Sequence, residues 1–155
     1  AGKYELLLAL FEESVRTTAV KLADLIQDEK DPLTRFQIAC VEYYRICQPH
    51  TKAKPTAKKG TAPALADFAQ QLLTDHPKEA AHAFVPLVKL FTGLLDDAAA
   101  AKQIRSGLDH KRLVGVILEA VMFNAFADTI SGSKVREDGA GEELLGLILN
   151  GIAAK

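Results

Sequence analysis

The sequence has few cysteines, no surplus of charge of one sign and no long apolar run, and each shortage closes off a class of protein. Two cysteines in 155 residues, Cys40 and Cys47, cannot build the disulfide framework of a small secreted domain. They lie too far apart in one helical-looking stretch to form an adjacent Cys-x-x-Cys redox or metal pair. Buried free thiols are the reading they support, and a reducing, cytoplasmic location is expected. Nineteen Lys and Arg against twenty Asp and Glu leave a net charge of -1, whereas a domain that grips nucleic acid with its own surface carries a basic excess. If DNA is involved, another segment must hold it. The longest apolar runs, residues 6–11 and 113–118, fall far short of the roughly 18 residues that span a bilayer, and no signal-peptide pattern opens the chain. No membrane insertion is expected.

Strand signals are missing too. There are no alternating Val, Ile and Thr runs closed by Asn-Gly or Asp-Gly turns, and no Gly-x-Ser-x-Gly elbow, Walker loop or Rossmann glycine pattern. The sequence therefore predicts a non-enzymatic, cofactor-free protein. No repeat of fixed period points to a solenoid.

What is present is helical spacing and an ordinary globular balance, with 48% hydrophobic and 25% charged residues. A chain of this length buries about 70% of its unfolded surface, enough for one domain with its own core. The expectation is an all-α bundle of about six helices spanning residues 1–155. The first helix is predicted over 3–26, with Leu7, Phe11, Val15, Leu22 and Ile26 on one stripe. Asp31-Pro32 is an N-cap followed by a proline at the first helical position, and opens a helix that ends before Pro49. Its apolar residues cover most of its circumference, which places it centrally.

Residues 48–61 turn to Lys, Thr, Ala and Pro, including Lys52, Lys54, Lys58 and Lys59, and are read as a flexible solubilising loop. A third helix fits Pro63 to Thr74. A fourth starts at Pro77 and reaches about Arg105, with a kink or break at Pro86 and a stop at Gly107. The fifth, from Asp109 to about Ser131, has only Glu119 and Asn124 as strongly polar residues between Leu113 and Ala127. A helix so apolar needs cover on two faces, and one small bundle supplies one. The last helix, about Gly141 to Ile152, is also broadly apolar, with Gly146 read as a point of close backbone approach and residues 139–141 as a flexible entry. Residues 109–152 are thus the expected dimerisation unit, and the chain is expected to be a homodimer.

This order of elements carries a resemblance. Gly2-Lys3-Tyr4-Glu5-Leu6-Leu7-Leu8-Ala9-Leu10 is similar to the connecting helix that follows the helix-turn-helix in TetR-family transcriptional regulators, and Asp31-Pro32 with its aromatic helix resembles the next element of that family. Lys102-Gln103-Ile104-Arg105 through Leu108-Asp109 looks like the family's approach to its first dimerisation helix. Glu142-Glu143-Leu144-Leu145-Gly146-Leu147-Ile148-Leu149-Asn150-Gly151 resembles its terminal one. The resemblance implies the C-terminal effector-binding and dimerisation domain of a repressor, the last two helices forming a four-helix dimer interface. It implies a small lipophilic effector bound inside the helical domain, and operator DNA held only through an N-terminal helix-turn-helix that these residues lack. The opening at Ala1, without methionine and directly before a leucine run, reads as an excised fragment.

The residues expected to line an effector pocket are Phe36, Cys40, Tyr43, Tyr44 and Cys47, with Phe84, Phe91, Met122, Phe123, Asn124 and Phe126 facing them. Core packing uses the same residue types and is the simpler account of any one of them. The expected dimer interface comprises Leu113, Val116, Ile117, Ala120, Leu145, Ile148, Leu149 and Ile152. Glu119 and Asn124, if buried, each need a partner in the effector, the second subunit or water. Glu79 and His82 show the Glu-x-x-His spacing of helical di-metal proteins, but no second copy accompanies them, so no metal is expected. His50, His76 and His110 are read as loop or helix-start residues. A lipophile-binding carrier or scaffold with no transcriptional role is the alternative.

Overall fold

The computed structural model describes residues 2–48, 62–130 and 139–154, with side chains described over those stretches except at 62–67, 126–130 and 140. Among the described residues the chain forms seven helices and no strand, so the all-α expectation holds. The lysine-rich stretch 49–61 lies outside the described residues, and with it His50.

Helix α1, Lys3–Ile26, buries Phe11, Val15, Thr18, Ala19, Leu22 and Ile26 along one stripe. The Thr18 hydroxyl donates to the Ser14 carbonyl at 2.8 Å, which pairs the stripe's polar group within the helix. Helix α2, Pro32–Cys47, starts as its sequence dictates: Asp31 Oδ2 accepts from the Thr34 backbone N–H at 2.9 Å and from the Thr34 hydroxyl at 2.7 Å. Pro32 occupies the first turn, where its missing N–H leaves no intrahelical bond unmade. Helix α2 packs against α1, against α5 (Val85–Ala100), against α6 (His110–Ile130) and against α7 (Ala140–Ile152), which explains its nearly complete apolar circumference.

Helices α3, Ala62–Asp75, and α4, Pro77–Ala83, pack on each other beside α1. The predicted fourth helix is two helices, because the chain breaks at Phe84 and Pro86 falls in the first turn of α5, where a proline sits without strain. Helix α5 also stops earlier than Arg105. Lys102 takes a left-handed conformation at φ 57°. Its N–H donates to the Ala99 carbonyl at 2.9 Å, and the Gln103 N–H donates to the Ala98 carbonyl at 2.9 Å, the two bonds of a Schellman turn. Gly107, at φ 79°, bends the following connection rather than ending the helix.

Asp109 caps α6, its Oδ1 accepting from the Arg112 N–H at 3.0 Å. Gly139, at φ 124°, precedes α7. The close approach expected at Gly146 occurs at Gly141 instead: a Cβ there would lie 3.1 Å from Tyr44 Cδ1, whereas one on Gly146 would meet nothing within 4 Å. The C-terminal residues fold back on the α5–α6 connection through an antiparallel bridge pairing Ile104 with Ala153. No helix among the described residues is long and apolar enough to cross a membrane.

Candidate functional site

The side chains of the expected pocket divide among three places. Phe36, Cys40, Tyr43 and Tyr44 are buried along α2, and Phe91 on α5 is buried against them. The Phe36 and Phe91 rings meet edge to face with centroids 6.2 Å apart, and Tyr43 tilts onto Phe91 at 6.0 Å. Such contacts are individually favourable beyond the area they bury. Burial pushes the Cys40 thiol well up and the Cys47 thiol up to about 12, while the Tyr43 hydroxyl, which donates to the Cys47 sulfur, partly offsets the latter. Tyr43 is itself raised by burial first and then by Cys47. Both thiols stay protonated at neutral pH and behave as small apolar groups rather than nucleophiles.

Phe84 belongs elsewhere. Half-buried at the α4–α5 break, it stands edge to face against Phe11 at 5.5 Å. Phe11 continues to Phe68 at 6.3 Å, and Tyr4 joins Phe68 at 5.6 Å and His76 at 5.1 Å. This second aromatic cluster ties α1 to α3 and α4. Sequence reasoning missed it because Phe11 and Phe68 lie on separate helices and Phe84 at the break between two more.

Met122 is buried on α6, but Phe123 is 45% exposed and Asn124 is exposed as well, so neither faces the α2–α5 rings. The reason is helical phase. Val114, Ile117, Leu118, Val121 and Ala125 fill the inward side of α6, which turns Val116, Glu119, Ala120 and Phe123 away from it. Asn124 donates to the carbonyl of Ala120 in the preceding turn at 2.7 Å, and Glu119 is exposed, so the two polar exceptions are not buried in the subunit. The side chain of Phe126 lies outside those described.

The expected interface residues also separate by phase. Ile117, Leu145 and Ile152 are buried in the chain's own core and are not available at its surface. Leu113, Ala120, Ile148 and Leu149 are half-buried, and Leu113, Ile148 and Leu149 pack against the core. Outward stand Val116 at 58% exposure and Phe123 on α6, and Leu147 at 73% on α7. Leu147 was hidden in a helix where nearly every position is apolar.

A cavity of about 330 Å³ opens between α1 and the α4–α5 break, lined by Glu12, Glu13 and Arg16 and by His82, Val85 and Pro86. Its charges pair across and along the groove: His82 Nδ1 lies 3.4 Å from Glu12 Oε1, and Glu13 binds Arg16. Glu79 acts on Tyr4, whose hydroxyl is raised by burial first and by the Glu79 and Glu5 charges next. Among the described residues no group of three or more His, Cys, Asp or Glu side chains gathers as a metal ion would need, the Glu79 and His82 pair included. His110 Nδ1 lies 2.6 Å from Asp96 Oδ1, linking α5 to the start of α6.

Set beside known proteins, the chain stands apart: no family profile matches it, and no curated protein or solved structure is significantly similar to it.

Proposed function

We propose that this chain is the effector-binding and dimerising part of a ligand-responsive transcriptional repressor of the TetR type. The observation that carries the reading is the outward side of α6, where Val116 and Phe123 are exposed beside Glu119 while the opposite side of the same helix fills the core. Exposed apolar side chains gain free energy when a partner covers them, and a second copy meeting α6 on this side would cover both. The order of elements supports the same reading: a long lead-in helix, a central aromatic helix, then two apolar helices at the end. In this account a small lipophilic molecule parts the Phe36, Tyr43 and Phe91 rings between α2 and α5, and the resulting shift alters how two copies meet. Operator DNA is held by a helix-turn-helix preceding these residues.

A helical lipophile-binding carrier or scaffold with no transcriptional role is the second reading, and the mutual contact of the Phe36, Tyr43 and Phe91 rings favours its scaffold form, since these side chains already satisfy one another. Thermal denaturation against a panel of long-chain and polycyclic lipophiles tests the ligand binding that the repressor reading requires. A ligand at 100 times its Kd adds about 2.7 kcal/mol, a rise of roughly 5 to 10 °C in Tm for a chain of this size. The rise should vanish in Phe91→Ala, scored against that variant's own lower Tm. A panel that moves no Tm would leave only the scaffold reading.

A further inference from the structure

Each polar group of Gln103 is committed, and together they reach three helix termini. Its backbone N–H donates to the Ala98 carbonyl at 2.9 Å and closes α5, while its backbone carbonyl accepts from the Ala154 N–H at 3.1 Å, just past the end of α7. Its side-chain Oε1 accepts from the Leu33 N–H at 3.1 Å, and Nε2 donates to Asp31 Oδ1 at 2.7 Å. Leu33 carries one of the first-turn donors that a helix cannot satisfy internally, and Asp31 is the N-cap of the same helix. Two residues on, the Arg105 N–H donates to the Ile152 carbonyl at 2.9 Å, and the flanking Ile104 and Ile152 side chains are both buried.

Helix α7 is therefore referenced to α2 at both ends. Its first turn meets the end of α2 through Gly141 against Tyr44 and through Glu142 Oε1, 3.1 Å from Arg45 Nη2. That ion pair is exposed on both sides and holds little. Its last turn is joined to the start of α2 by way of residues 103–105. Helix ends are ordinarily closed by a neighbouring side chain or by water; here a residue 70 positions away in sequence closes one end while its backbone holds another.

We infer that Gln103 is a positioning residue that couples the first turn of α2 to the C-terminal turn of α7, a conformational latch through which loosening one end loosens the other. A disturbance at the start of α2 reaches the helix that displays Leu147 without passing through the aromatic core. The inference stands independently of the ligand reading.

Residue-resolved hydrogen exchange on the full 155-residue chain tests it. In Gln103→Leu the Leu33 amide loses its acceptor directly, but the amides of Arg105 and Ala154 keep theirs. Coupling predicts that exchange at Arg105 and Ala154 also rises about five-fold, the effect of one hydrogen bond, while Leu22 in α1 is unchanged. Deleting residues 153–155 should conversely raise exchange at Leu33 and Thr34 by a similar factor. Gln103→Glu, which keeps the acceptor for Leu33 but sets a second carboxylate against Asp31, should raise exchange at Arg105 and Ala154 in the same way if the leucine variant does not fold. A response confined to Leu33, an unresponsive Leu33 and Thr34 after the deletion, or a uniform rise that includes Leu22 would each overturn the latch.

Discussion

The Gln103 amide nitrogen donates to Asp31 Oδ1 at 2.7 Å across a sequence separation of 72 residues, so the N-cap of the central helix is completed by the connection between α5 and α6. Asp31 is held below the usual carboxylate range by the Thr34 hydroxyl first, then by the Thr34 backbone N–H and the Gln103 side chain, with burial opposing. A carboxylate whose folded pKa is lowered adds stability that is fully present above its unfolded value, about 3.9, and is lost as pH falls through the lowered folded value. Urea midpoints of the wild type should therefore exceed those of Asp31→Asn at neutral pH, and the gap should close on acidification below about pH 4. A gap independent of pH would mean that the charge of Asp31 contributes nothing.

Two glycines of α7 should respond oppositely to alanine. The Tyr44 ring beside Gly141 is 3% exposed and cannot readily yield to a Cβ placed 3.1 Å away, so Gly141→Ala should cost about 1 kcal/mol or more. Gly146 faces open space within its helix, and Gly146→Ala should gain roughly 0.5 to 1 kcal/mol. Equilibrium denaturation of both variants compares them directly.

The left-handed turn after α5 makes a similar pair. Lys102 at φ 57° is a residue with a Cβ in a conformation that suits glycine, so Lys102→Gly should raise stability by about 0.5 to 1 kcal/mol. Gly107 at φ 79° already uses that freedom, and Gly107→Ala should lower stability by about 1 kcal/mol. Denaturation midpoints that move the other way would show that the turn is set by something besides backbone strain.

Local signals made most of the fold legible. Asp31-Pro32 announced α2, the stripe from Phe11 to Ile26 announced α1, and the apolar circumference of α2 announced its central place. The end of α5 was not legible, because a lysine in the left-handed region leaves no mark in sequence, and the role of Gln103 depends on contacts with α2 and α7 that spacing cannot display. The candidate site was read less well for a related reason. Where almost every position of α6 and α7 is apolar, periodicity cannot say which side turns inward, so Ile117, Leu145 and Ile152 were grouped with Val116 although the fold buries the first three.

The outward face of α6 is the centre of the functional account, and sedimentation equilibrium of Phe123→Glu and Val116→Glu tests it most directly. Both side chains are exposed in the subunit, so the variants should keep the wild-type helical content and Tm of the monomer while association is lost. Leu145→Glu places a charge in the core and should instead unfold the chain, by several kcal/mol. The wild type should sediment as a dimer, and Phe123→Glu and Val116→Glu as folded monomers. A wild type that sediments as a monomer, or variants that remain fully dimeric, would contradict the functional account.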